Sequence, residues 1–178
     1  MTDHYSFFTQ SKQDILLVKL TEIYLEYYKI KKEFIDYKDI FLKDYVKEYN
    51  ENNNKETINE IIKTDIPKEE AIHTPLFNKL VIATHPDKNS KSNPILYQQV
   101  KEAHEKNKFA KICFLARFIN VPIGELSDDE IKVLEESIIK KKKKIDHYSK
   151  TYPVLYGRAK SDSIRERLLS SFKELNAP

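Results

Sequence analysis

His85 and Asp87 flank Pro86, an imidazole and a carboxylate near enough in the chain to serve as an acid–base pair. Such a pair needs a nucleophile to activate and donors to hold a developing oxyanion, and the sequence carries a motif for neither. The other histidines, His4, His73, His104 and His147, share no ligand spacing with His85, with one another or with cysteine. No metal centre is expected from them. Two glycines, Gly124 and Gly157, can hardly build a phosphate-cradling loop, and both read as loop residues. The single cysteine, Cys113, excludes an internal disulfide and suits a reducing compartment. It lies in the apolar run 109–119, so it reads as a buried, inert thiol. The chain is not read as an enzyme, and no cofactor is expected.

Lys140 to Lys144 are consecutive lysines, which raises nucleic-acid or anionic-surface binding. Consecutive helical positions point around the whole circumference, no aromatics interleave, and the net charge is only +3. A solvated helix segment is the better reading, and nucleic acid is not an expected partner.

The elements that must position His85 and Asp87 are two helices. Leu76, Phe77, Leu80 and Val81 line one helical face. Thr74 can cap this helix, and Pro75 suits its first position. Pro86 cannot continue it and restricts His85, so the helix ends there. The polar run 89–93 is a loop, and Pro94 suits the start of the next helix, which runs towards Lys106. On residue type alone, Pro86 and Asp87 make a turn, with His85 a solvated cation at a helix end.

A helix ending in His85-Pro86-Asp87, followed by Lys88-Asn89, a short polar loop and a third helix bearing Tyr97, Val100 and Ala103, resembles the J-domain. This is the module by which DnaJ-type co-chaperones engage DnaK-type chaperone ATPases. The resemblance covers roughly residues 67–109, with Phe77 and Leu80 at the family's packing positions. It is similar to divergent J-domains with helical flanks of the kind associated with large DNA viruses. The resemblance implies that Asp87 offers its carboxylate to an arginine of the ATPase, that Pro86 keeps the loop rigid, and that His85 bears on the ATPase surface. Lys79 and Lys88 would assist. It implies stimulation of the partner's ATP hydrolysis. The second helix carries only Lys79 on its exposed face, beside Asn78, Ala83 and Thr84, which suits an alternative: an interaction module that keeps the fold without chaperone coupling.

The flanks are helical too. Leu16, Leu20, Ile23, Tyr27, Ile30, Phe34, Tyr37 and Phe41 alternate steps of four and three, a coiled-coil-like seam running to about Tyr49. Ser11 with Asp14 caps it. Thr57–Lys63 reads as a short helix and Asp65–Glu70 as a link. Phe109–Asn120, apolar on more than one face, reads as a buried hub. Ser127 with Glu130 forms a capping box before Ile131, Leu134, Ile138, Ile145 and Tyr148, a second seam that Lys141 interrupts. Residues 1–66 hold 10 basic and 13 acidic residues, and residues 127–178 hold 12 and 9. The two long helices are therefore expected to form an intramolecular antiparallel pair, with a stalk that pairs between chains as the competing arrangement. Lys150–Lys160 reads as a loop, and Ser163 with Glu166 as the cap of a last helix.

The expected protein is all-α: a long helix plus a short helix over 1–66, a J-like core over 67–121, and an extension over 122–178 packing on the first helix. No run reaches the length of a membrane span, and the start MTDHYSFF lacks a signal pattern. A reducing, cytoplasmic location is expected, as a monomer or dimer.

Overall fold

The computed structural model describes residues 11–49, 74–87 and 93–176. The expected helix Thr57–Lys63, the link Asp65–Glu70 and Lys88 lie outside them. The described residues form seven α-helices and no strand: α1 (Lys12–Tyr49), α2 (Thr74–Thr84), α3 (Pro94–Glu105), α4 (Phe109–Phe118), α5 (Asp128–Ser149), α6 (Tyr152–Arg158) and α7 (Asp162–Leu175). None of these helices is long and apolar enough to cross a membrane. Two compact units divide the chain. One holds α1 up to Tyr24, α2, α3, α4 and α5 up to Lys141; the other holds α1 from Leu25, α5 from Lys142, α6 and α7.

Helix ends follow from local chemistry. At the start of α1 the Asp14 amide donates to Ser11 Oγ at 3.1 Å, and Ser11 Oγ donates to the Asp14 carboxylate at 2.7 Å. At α5 the Ser127 amide donates to Glu130 Oε2 at 2.7 Å, and the Glu130 amide to Ser127 Oγ at 3.4 Å, a reciprocal box. With glycine scarce, asparagine takes the left-handed position that ends α3 and α4. Asn107 has φ 48° and Asn120 φ 58°. In each case the next amide reaches back five residues, Lys108 to the Ala103 carbonyl and Val121 to that of Ala116, both at 2.8 Å. Asparagine tolerates this conformation better than other side-chain-bearing residues, so the polar patch 104–108 ends the helix instead of bending it.

In the first unit α4 is the hub. Phe109, Ala110 and every residue from Ile112 to Ala116 are buried. Also buried in this unit are Leu16, Leu20, Ile23 and Tyr24 of α1, Leu76 and Leu80 of α2, Val100 and Ala103 of α3, and Leu134 and Ile138 of α5. Tyr24 stacks on Phe114 at 4.9 Å. Gln13 fastens the loop before α5, donating to the Gly124 carbonyl at 2.6 Å and accepting from the Leu126 amide at 2.9 Å. Phe118, expected within the hub, is largely exposed.

The second unit is built on Phe41, Tyr45, Tyr156 and Leu169, with Leu42, Tyr49, Tyr152, Leu168 and Phe172 packed against them. Phe41 meets Tyr156 and Phe172 edge-on at 5.4 and 5.1 Å, geometries that align ring edges with ring faces.

Several expectations change. The long helices run parallel where they meet. In the first unit Gln13 meets Leu126, and eleven residues on, Tyr24 meets Ser137 (Oη to Oγ 3.5 Å). A seam repeats with the same period in either direction, so the pattern carries no sense of polarity. Lys141, the gap in the α5 seam, sets its ammonium 4.6 Å from the Tyr24 ring centroid. The expected loop Lys150–Lys160 contains α6, and Gly157 lies in that helix. Helix α7 is preceded by Ser161 as its cap residue, which places Ser163 inside the helix.

Candidate functional site

The site is the turn between α2 and α3. Leu76 and Leu80 are buried and fix the orientation of α2 on the hub, with Phe77 half-buried beside them. Thr84 is buried as well, and its hydroxyl donates to the Leu80 carbonyl at 2.7 Å. The expected exposed position of Thr84 is thus wrong. A short side chain that satisfies its hydroxyl on its own helix can turn inward. Ile82, more than half exposed, stands outside instead, with Pro75, Asn78 and Lys79 also exposed.

The last backbone bond of the helix runs from the His85 amide to the Val81 carbonyl at 2.9 Å. Pro86 then supplies no amide hydrogen and cannot extend the ladder. The Asp87 amide donates to His85 Nδ1 at 3.2 Å. In this geometry Nδ1 is an acceptor, which leaves Nε2 as the ring's outward donor. The ring is held from the other side by Tyr97 of α3, edge-on with centroids 5.0 Å apart. His85 is thereby gripped between its own turn and the next helix.

Asp87 behaves differently. Its side chain is 87% exposed, and its Oδ2 lies 3.9 Å from His85 Nδ1. That separation is too long for a hydrogen bond, and the Nδ1 lone pair is already used. The two side chains therefore do not form a hydrogen-bonded acid–base dyad. The arrangement presents an exposed carboxylate at the end of α2, a shape suited to capturing a cation from a partner.

Helix α3 opens on Asn93, whose Oδ1 accepts from the Ile95 amide at 2.9 Å, while its carbonyl accepts from the Leu96 and Tyr97 amides. This cap sets the start of α3 and with it the position of Tyr97. Two ring contacts define the direction of the pair. His85 at the end of α2 meets Tyr97 near the start of α3, and Phe77 near the start of α2 meets His104 at the end of α3. Helices α2 and α3 are antiparallel. The sequence gives no sign of the role of His104, because a lone histidine in a polar patch reads as a solvated residue.

Of the residues singled out in the sequence, His85, Pro86 and Asp87 are together at the turn, Lys79 is exposed on α2, and Lys88 lies outside the described residues. Burial, reinforced by the nearby Glu130 charge, pushes the Cys113 thiol far above its ordinary range, which removes it as a nucleophile. Among the described residues no group of three or more His, Cys, Asp or Glu could hold a metal ion. Comparison with protein-family models, with curated proteins and with solved structures finds no match to this chain.

Proposed function

We propose that this protein is a J-domain-like co-chaperone that binds a DnaK-type chaperone and stimulates its ATP hydrolysis. The observation that carries the reading is the antiparallel α2–α3 pair with His85-Pro86-Asp87 at its turn and the Asp87 carboxylate turned to solvent. In this reading Asp87 pairs with an arginine of the ATPase, Pro86 keeps the turn short, and His85 orders the turn while its Nε2–H remains to donate. Lys79 and Lys88 add attraction for an acidic partner surface. The flanking helices target or restrain the turn.

A second reading, an interaction module that has the J fold without chaperone coupling, is favoured by the outer face of α2. Pro75, Asn78, Lys79 and Ile82 offer a single cation there, and charge complementarity governs how fast and how selectively such partners meet.

One assay separates the two. Single-turnover ATP hydrolysis by a DnaK-type chaperone is followed with wild type and with His85→Gln. Stimulation that disappears in the variant supports the co-chaperone. Silence from both folded proteins sinks it and leaves the interaction module.

A further inference from the structure

We propose that the outer face of α1 from Leu25 to Val46 pairs with the same face of a second copy of this chain, antiparallel, about a two-fold axis between Ile35 and Asp36. The inner face of this stretch is spent on its own unit, where Ile30, Phe41 and Tyr45 are buried. Half a turn away, Leu25, Lys32, Ile35, Asp39 and Val46 follow one another at steps of seven, three, four and seven, a coiled-coil spacing. All five are exposed, the three apolar ones by 48% (Leu25), 56% (Ile35) and 49% (Val46). The stripe spans about 33 Å of helix at 1.5 Å per residue.

Its charges select the occupant and the direction. Parallel pairing of two copies sets Lys32 on Lys32 and Asp39 on Asp39. Antiparallel pairing about the stated axis sets Lys32 opposite the partner's Asp39, and symmetry repeats that pair. The same register sets Leu25 opposite the partner's Val46 at both ends, an apolar contact outside each ion pair. At the centre the register sets Ile35 opposite the partner's Asp36, whose carboxylate lies 2.6 Å from its own Lys32, so each Lys32 bridges Asp36 of its own helix and Asp39 of the partner. Polar residues within a seam fix register and orientation at some cost in strength. With three apolar positions per copy, the interface falls at the small end, below about 1,200 Å², and the dimer is weak and exchanging.

The full-length chain is tested by sedimentation from about 1 to about 100 µM, a range that brackets micromolar affinity. The expected result is a monomer–dimer equilibrium whose Kd rises about tenfold or more in Asp39→Lys and recovers in Lys32→Asp/Asp39→Lys. Orientation is read by cross-linking: Leu25→Cys and Val46→Cys should each stay uncrosslinked alone and form a disulfide when mixed, Cys113 being buried. Every substituted position is exposed, and circular dichroism checks that the helices persist. Sedimentation as a monomer throughout, indifference to Asp39→Lys, or self-cross-linking of Leu25→Cys alone each overturns the proposal.

Discussion

The phenyl ring of Phe77 lies face to face on the imidazole of His104, centroids 3.7 Å apart and planes 10° from parallel. This stack closes the α2–α3 pair at the end opposite the turn. Removing the imidazole with His104→Ala should cost about 1 kcal/mol, the usual scale of an aromatic contact beyond simple burial. Phe77→Ala should cost roughly 2–3 kcal/mol, below the full range for a core phenylalanine because this ring is half-buried. Urea unfolding of the single and double variants should show coupling between them, since either change removes the same stack.

Asp87 should separate stability from function. Its backbone amide, not its carboxylate, fastens the turn to His85. Asp87→Asn should therefore change stability by no more than about 0.5 kcal/mol, the ordinary range for an exposed site. Under the co-chaperone proposal the same change should abolish ATPase stimulation, because an amide cannot form an ion pair with arginine. A variant that unfolds more easily would show that the carboxylate holds the turn.

Gly157 should invert a common rule. In the interior of an exposed helix, glycine to alanine gains about 1 kcal/mol. Here a Cβ would run into the ring of Tyr37. Gly157→Ala should instead destabilise by about 1–3 kcal/mol, the range for overpacking. Adding Tyr37→Ala should return the substitution to neutral or favourable, a sign change that thermal melting of the four proteins can read.

Alkaline unfolding should report on Tyr156. Burial, then donation of its hydroxyl to Asp44 at 2.7 Å, pushes its pKa up from 10.0 to about 12. The folded state thus keeps a proton that the unfolded chain releases. The contribution is fully present below pH 10 and is lost as pH rises towards 12, with a slope of at most about 1.4 kcal/mol per pH unit. Tyr156→Phe should lower stability at neutral pH by about 1 kcal/mol through the lost hydrogen bond and flatten the decline above pH 10. An unchanged alkaline slope would assign that decline to other groups.

The stretches legible in the sequence were those where one local rule acts alone. The α1 seam is buried at Leu16, Leu20, Ile23, Ile30 and Phe41 and half-buried at Tyr27, Phe34 and Tyr37. Apolar density marked α4, and proline marked the end of α2. What stayed hidden depends on a choice between equal local signals. The seams of α1 and α5 fit either direction, and contacts between the helices, Gln13 with Leu126 and Tyr24 with Ser137, are what make them parallel. Thr84 can face water or bond its own helix, and packing against the hub decides. Ser161, not Ser163, stands at the start of α7, and its side chain makes no capping bond. At the candidate site, His85, Pro86 and Asp87 were visible as a motif. The grip of Tyr97 on His85 and the stack of His104 on Phe77 were not, because each joins residues on different helices.

Parallel alignment of the long helices carries a consequence for synthesis. Tyr24 and Ser137 meet across a separation of 113 residues. At roughly 5–20 residues per second, a ribosome needs roughly 6–23 s to make that interval. Throughout it, the apolar side of α1 has been made while its α5 counterpart does not yet exist. The nascent chain therefore spends that time with Tyr24 lacking Ser137 and Lys141 of α5, and this is when it is most open to capture by a holdase or to aggregation.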